Sequence, residues 1–73
     1  MIEATTKNGL TVWLAFVPDC EYNTGGWYVE VYLDEYGDRY DDFCIHTDDC
    51  DCSDDDAIIQ YARDYIADIE YRI

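Results

Sequence analysis

Apolar and polar residues alternate along the first 16 positions, and this alternation predicts two paired β-strands. The residues expected on the buried side are Ile2, Ala4, Thr6, Leu10, Val12, Leu14 and Phe16. A two-residue loop at Asn8 and Gly9 would set polar residues beside this apolar face. A three-residue loop over 7–9, with Gly9 left-handed, instead aligns the apolar residues of both strands. We therefore expect the longer loop.

Two further strands are predicted after an irregular connection. Pro18 is expected to end the second strand because it has no N–H for a ladder, and residues 19–26 then form the connection. The third strand alternates between the inward Trp27, Val29, Val31 and Leu33 and the outward Tyr28, Glu30, Tyr32 and Asp34. After a turn over 36–39, the fourth strand places Phe43 and Ile45 inward and Tyr40, Asp42, Cys44 and His46 outward. Short connections predict an antiparallel meander.

The last segment has the pattern of an amphipathic helix. Ser53 is the expected N-cap, with Asp54, Asp55 and Asp56 in the first turn, where carboxylates stabilise the positive end of the helix dipole. Its apolar face consists of Ile58, Tyr61, Ala62, Tyr65, Ile66 and Ile69. The predicted fold is α+β, in the order β-β-β-β-α. One domain spans residues 1–73, with a four-stranded antiparallel sheet and a C-terminal helix packed on one face.

The charge of the chain restricts its partners. Eighteen acidic residues against four basic ones give a formal charge of −14, yet 49% of the residues are hydrophobic, so a folded domain is expected. Carboxylates repel phosphate, which argues against direct binding to nucleic acid or to an anionic membrane. Cationic surfaces are the attractive partners, and these include proteins that bind nucleic acid. The sequence shows no secretory signal and no apolar run of membrane-spanning length, so we expect a cytoplasmic protein.

The uncovered face of the sheet and the acidic turns are the candidate binding surface. Tyrosine is a common interface anchor, and carboxylates orient a basic partner. Tyrosine also suits exposed strands and aspartate suits turns, so residue type alone does not separate binding from ordinary surface. The overall charge favours binding. The candidate residues are Tyr28, Glu30, Tyr32, Asp34, Glu35, Asp38, Tyr40, Asp41, Asp42, Asp48, Asp49 and Asp51.

A metal site is the competing interpretation. Cys44, His46, Cys50 and Cys52 supply four zinc-type ligands within nine residues, and Cys20 is a possible substitute for one of them. The spacing matches neither the common zinc ribbons nor zinc fingers, so free thiols and no cofactor are expected. This zinc set would make the chain a metal-stabilised structural or adaptor domain.

Asp49, Asp51 and Ser53 match the first alternate ligand positions of an EF-hand calcium loop. Asp54 stands where that loop needs glycine, and Gln60 stands where it needs the bidentate glutamate. A dedicated calcium site is therefore not expected.

Catalysis has little support in the sequence. His46 and Cys44 lie two residues apart and form the minimum of a thiolate–imidazole pair. A flat sheet with one helix offers little concavity for a substrate. We expect a binding protein and not an enzyme.

In size, charge, tyrosine content and predicted shape, the chain resembles the small inhibitors that bacteriophages and mobile elements direct against host defence. Anti-CRISPR and anti-restriction DNA mimics are the examples. The resemblance is one of type and extends over the whole chain without a shared motif, so it assigns no residue a role. It implies stoichiometric inhibition, in the host cytoplasm, of a nuclease or surveillance complex whose basic DNA- or RNA-binding site is blocked.

Overall fold

The chain folds as four strands followed by one helix, as the sequence pattern predicts. This computed structural model describes residues 1–20 and 23–72. Its elements are β1 (Ile2–Thr5), β2 (Thr11–Cys20), β3 (Asn23–Tyr32), β4 (Arg39–Ile45) and α1 (Asp55–Ala67). The strands form one antiparallel sheet in the order β1-β2-β3-β4. The α+β class and the meander are thereby confirmed.

The hairpin between β1 and β2 has the predicted three-residue loop. Ala4 lies opposite Val12, and the Thr6 N–H donates to the Leu10 carbonyl at 2.8 Å. Gly9 has a φ of +84°, in the left-handed region that glycine adopts without a Cβ penalty. The register therefore sets the apolar residues of both strands on the same face.

Pro18 does not end β2, contrary to the sequence prediction, and lies inside the strand opposite Trp27. In antiparallel sheets, alternate residues direct their backbone groups to opposite neighbours. Leu10 bonds toward β1, so Pro18, an even number of residues later, also directs its nitrogen to that side. β1 extends only as far as the residue opposite Leu14. The missing N–H of Pro18 therefore faces an unpaired edge and interrupts no ladder.

The predicted irregular connection over 19–26 is also mostly strand. β2 continues to Cys20, and β3 begins at Asn23; residues 21–22 lie outside the described part. The β2–β3 register shifts between Pro18 and Cys20, and Gly25 has a φ of +84°. A glycine in this conformation accommodates the extra residues of a bulge, so pairing continues beyond it.

The helix begins one residue later than predicted. Asp54, not Ser53, is the N-cap, and its side chain accepts a hydrogen bond from the Asp56 N–H at 3.1 Å. Ser53 instead donates its hydroxyl and its N–H to Asp51. Both residue types cap helices, so the choice depends on the loop that precedes them.

Among the described residues no helix has the length and apolar character needed to cross a membrane.

The core lies between α1 and the side of the sheet that we call the inner face. Its buried strand residues are Ala4, Val12, Leu14, Val29, Val31, Phe43 and Ile45. The helix contributes Ile58, Ala62 and Ile66, each on the predicted apolar face. Tyr61 and Ile69 are half-buried against this core, and Tyr65, more exposed, stacks its ring on Phe43 at a centroid distance of 4.1 Å.

The C-terminal segment completes the core, which the sequence pattern did not predict. The Lys7 N–H donates to the Ile69 carbonyl at 2.9 Å, and the Asn8 side-chain amide donates to the Tyr71 carbonyl at 3.1 Å. These bonds hold residues 69–71 against the first hairpin loop. Tyr71 is only 9% exposed and belongs to the core.

Candidate binding surface

The other side of the sheet, which we call the outer face, is covered by no described element. Its half-buried residues alternate with the core residues along β2, β3 and β4. Cross-strand pairing places Ala15 beside Glu30, and Glu30 beside Asp42. The central members of this face are Trp13, Ala15, Val17, Tyr28, Glu30, Tyr32, Asp42 and Cys44. The predicted outward positions of Tyr28, Glu30 and Tyr32 are confirmed, whereas Asp34, predicted to be the next outward residue of this strand, lies beyond the end of β3 in the following turn.

Five of the outer-face residues form a hydrogen-bonded group that we call the tyrosine–carboxylate cluster. Its members are Tyr28, Glu30, Tyr32, Arg39 and Asp42. The Tyr28 hydroxyl donates to Asp42 Oδ2 at 2.7 Å, and the Tyr32 hydroxyl donates to Glu30 Oε2 at 3.3 Å. Arg39 Nη1 donates to the Tyr28 hydroxyl and lies 3.6 Å from Asp42 Oδ2 and 3.8 Å from Glu30 Oε2. The cluster joins β3 to β4 across the outer face.

These contacts set the protonation of both phenols. The hydrogen bond to Asp42, and then burial, raise the pKa of Tyr28. Burial, followed by the charge of Glu30, raises the pKa of Tyr32. Both tyrosines therefore remain donors, and the two carboxylates are partly neutralised by Arg39. The centre of the outer face is consequently less anionic than the sequence alone suggests.

Two candidate residues do not join the outer face. The β3–β4 register shifts by one residue after Val31, which leaves Tyr40 as a bulge. Tyr40 packs its ring edge-on against Tyr71 at a centroid distance of 5.0 Å. Asp41, expected in the turn, lies in β4 and accepts a hydrogen bond from the Tyr71 hydroxyl at 2.8 Å. Both placements expected from the sequence are wrong, because the bulge turns this pair of residues toward the C-terminal segment.

The β3–β4 turn carries three exposed carboxylates, as predicted. Asp34 organises the turn, since its side chain accepts from the Tyr36 N–H at 3.2 Å and its carbonyl accepts from the Gly37 N–H at 3.1 Å. Glu35 and Asp38 make no ion pair with any described residue. Their charges are therefore available to a partner.

A second group of carboxylates lies in the loop between β4 and α1. Asp49 accepts from the His46 N–H at 2.9 Å. Hydrogen bonds from Ser53 lower the pKa of Asp51, which keeps that carboxyl ionised. Asp48 is exposed and makes no ion pair within the described chain. Local structure thus accounts for part of this group, and Asp48 is its least constrained member.

The exposed carboxylates of the candidate set follow one edge of the sheet. β4 is the last strand, with the β3–β4 turn at its start and the acidic loop at its end. Residues 30–56 hold twelve of the eighteen acidic residues and one of the four basic residues. We call the following set the acidic edge: Asp34, Glu35, Asp38, Asp42, Asp48, Asp49 and Asp51.

The side chains of Cys44, His46, Cys50 and Cys52 are not gathered at one site, although the thiols of Cys50 and Cys52 interact with each other. Cys44 lies on the outer face opposite Tyr28, whereas Cys50 and Cys52 pack against the core. Cys52 Sγ donates to the His46 carbonyl at 3.6 Å. Burial raises the pKa of Cys50, so its thiol is a poor nucleophile at neutral pH.

In the described part of the chain, no three His, Cys, Asp or Glu side chains are grouped to hold a metal. The proposed zinc set is therefore not brought together, and Asp49 and Asp51 of the calcium loop belong to no such group. The side chain of Cys20 lies outside the described residues. Cys44, Cys50 and Cys52 are not in disulfides.

A groove that the sequence pattern did not predict lies at the far side of the sheet, near the start of α1. It has a volume of about 250 Å³ and is lined by Ile2, Phe16, Trp27, Asp55, Ile58 and Ile59. The Trp27 Nε1–H donates to the Cys52 carbonyl at 3.0 Å, which fixes one wall. The available signal was strand length, because the inward row of β2 continues to Phe16 whereas its pairing with β1 extends from Thr11 to Leu14.

The described surface thus has two candidate binding features: the acidic edge beside half-buried aromatic residues, and an apolar groove with a carboxylate. Comparison with family models, curated proteins and solved structures found no match to this chain.

Proposed function

We propose that this protein is a small acidic inhibitor that occupies the basic DNA- or RNA-binding site of a host defence protein, such as a CRISPR–Cas complex or a restriction enzyme. It acts by binding, one molecule per site, and not by catalysis. The acidic edge is the observation that carries the proposal. It concentrates exposed carboxylates along one strand and the loops at its two ends, where a single basic residue, Arg39, accompanies them.

The dimensions of the acidic edge suit a phosphate track. A strand rises about 3.4 Å per residue, so the seven residues of β4 span roughly 20 Å. Phosphates advance about 3.4 Å along the axis per nucleotide, so this length corresponds to roughly six nucleotides. The nucleic-acid-binding site of a partner would contact carboxylates at both ends of β4 and at Asp42 between them.

The neighbouring aromatic residues supply the apolar part of an interface. Tyr28, Tyr32 and Trp13 are half-buried and lie beside Ala15 and Val17 on the outer face. Interfaces commonly combine an aromatic centre with a polar rim. The hydrogen bonds of the tyrosine–carboxylate cluster hold the tyrosine rings in place, which reduces the side-chain entropy lost on binding.

Competition with nucleic acid tests this proposal directly. Purified CRISPR–Cas effector complexes and restriction enzymes are mixed with fluorescent target duplex, and anisotropy is followed as the protein is added. For a true target, we expect loss of duplex binding that saturates at one protein per site and weakens as salt rises. If bound protein leaves duplex binding intact, the mimicry proposal is wrong.

Matched variants separate local charge from total charge. The triple variant Asp34→Asn, Asp38→Asn and Asp48→Asn removes three charges from the acidic edge. The control Asp64→Asn, Asp68→Asn and Glu70→Gln removes three exposed charges around the end of α1. We expect about tenfold weaker inhibition from the first variant and less than about twofold from the second. Equal losses would show that net charge alone acts, and would remove the acidic edge from the proposal.

A further inference from the structure

We infer that the protein binds an extended basic segment of its partner along the unpaired edge of β2, with one Lys or Arg side chain in the groove. This mode of contact rests on the proposed function, since it presumes a basic protein partner. It adds a second contact surface, on the side of the sheet opposite the acidic edge.

The unpaired backbone of β2 is the first support. β1 pairs with β2 only from Thr11 to Leu14, whereas β2 continues to Cys20. No described residue pairs with β2 beyond Leu14 on that side. Leu10 directs its backbone carbonyl toward β1, and every second residue of β2 after it has the same orientation. The N–H and C=O of Phe16 and the C=O of Pro18 therefore point toward this unpaired edge. Such an edge is a template for strand addition.

The position of the groove is the second support. A strand that continued the line of β1 would place a residue opposite Phe16, on the inner face, as Ile2 lies opposite Leu14. The groove opens at this place, between Phe16, Trp27 and Ile58. One side chain of an added strand therefore enters the groove when its backbone bonds to Phe16.

The chemistry of the groove selects a basic side chain. Ile58, Ile59 and Trp27 offer apolar surface to the stem of a Lys or Arg, and Asp55 lines the same groove. Long basic side chains bury their methylene groups while the charged head reaches a polar partner. Trp27 adds an aromatic wall, which also attracts cations. None of the four basic residues of the chain lines this groove.

Pro18 and the net charge limit what else can bind there. β1 occupies the edge as far as Leu14 and Pro18 donates no hydrogen bond, so the added strand is short and runs from Phe16 toward Pro18. A second copy of this chain would bring another formal charge of −14 to the same edge. A basic strand meets no such repulsion.

The probe is an eight-residue peptide of alternating lysine and valine, titrated into the ¹⁵N-labelled protein. Hydrogen exchange and chemical shifts are read at Phe16 and along the acidic edge. We expect slowed exchange at the Phe16 amide, and shifts at Trp27 and Ile59 that exceed those at Asp38 and Asp48. Shifts centred on the acidic edge, no binding, or concentration-dependent self-association of the protein through β2 would each overturn the inference.

Two controls identify the contacts. The same peptide with its lysine amides N-methylated keeps its charge but loses the N–H donors that would face β2, and we expect at least about fivefold weaker binding. Asp55→Asn should weaken the unmodified peptide about threefold to tenfold, whereas Asp64→Asn, further along α1, should leave it unchanged. Unaltered binding of the N-methylated peptide would show that charge alone holds it, and would overturn strand addition.

The outcomes also separate this inference from the proposed function. If the peptide binds at Phe16 but this protein displaces the duplex from none of the nucleic-acid-binding proteins, the edge site stands and the proposed function fails. If this protein displaces the duplex from its target but does not bind the peptide, the proposed function stands and the edge site fails.

Discussion

The two faces of the sheet differ in composition and in packing. On the inner face, Val12, Leu14, Val29 and Val31 are fully buried beneath α1. The intervening residues of the same strands place aromatic rings, carboxylates and an arginine on the outer face, and these residues remain partly exposed. Burial of aliphatic side chains dominates the stability of small domains. The inner face therefore maintains the fold, whereas the outer face leaves its chemical groups partly exposed.

The largest expected effect comes from truncating the inner face. Leu14→Ala should lower the free energy of unfolding by about 2–5 kcal/mol, because it removes a fully buried side chain and leaves a cavity. Val17→Ala, on the outer face and 42% exposed, should cost less than about 1 kcal/mol. Urea unfolding followed by tryptophan fluorescence measures both. Similar costs for the two variants would mean that the outer face also maintains the fold.

The second largest effect on stability concerns Tyr71, the residue of the C-terminal segment that completes the core. Tyr71→Phe removes the hydrogen bond to Asp41 and should cost about 1–2 kcal/mol. Tyr36→Phe, at a tyrosine that is 93% exposed, is the matched control and should cost almost nothing. If Tyr71→Phe is equally silent, Tyr71 contributes only its ring.

Alkaline unfolding of the same variant provides a second readout. Burial first, and then the bond to Asp41, raise the pKa of Tyr71 in the folded state. The folded protein keeps this proton while the unfolded chain loses it near pH 10, so stability present below about pH 10 is lost as pH rises further. Tyr71→Phe should flatten this loss between about pH 10 and pH 11 in urea unfolding at fixed ionic strength.

The smallest effect on stability concerns the outer face. Arg39→Gln breaks two exposed ion pairs and should cost about 0.5 kcal/mol or less. It also frees Glu30 and Asp42, so inhibition of a nucleic-acid-binding target should strengthen, by up to about threefold at low salt. Arg72→Gln, which makes the same charge change on an exposed residue, is the control. Weaker inhibition by Arg39→Gln would show that Arg39 itself contacts the partner.

The sequence predicted the elements whose signals are local. Alternation predicted the inward residues of all four strands. The three-residue loop with Gly9 was predicted because a two-residue loop would set polar residues beside the apolar face. The errors lie where a neighbour decides the outcome. Pro18 is tolerated because β1 is short, and Asp54 caps the helix because Ser53 is already bonded to Asp51. These facts depend on tertiary context that periodicity does not carry.

The candidate surface was predicted less completely than the fold. Tyr28, Glu30, Tyr32 and Asp42 lie together as expected. The neutralising position of Arg39 was not foreseen, because it depends on the register between β3 and β4. The bulge at Tyr40 and the return of Tyr71 also remove Asp41 from the surface set. The binding role of the remaining residues stays a prediction.

The order of the strands has a consequence for how the molecule assembles. Each strand pairs with its neighbour in sequence, so the sheet grows through short loop closures that cost little chain entropy. The contact between Asn8 and Tyr71 joins residues 63 positions apart and closes a much longer loop. Topologies dominated by local pairing reach the native state quickly. The Tyr71 hydroxyl bond to Asp41, 30 positions away, forms in the same closure of the C-terminal segment. Tyr71→Phe, which removes this bond, should therefore accelerate unfolding while leaving the refolding rate nearly unchanged.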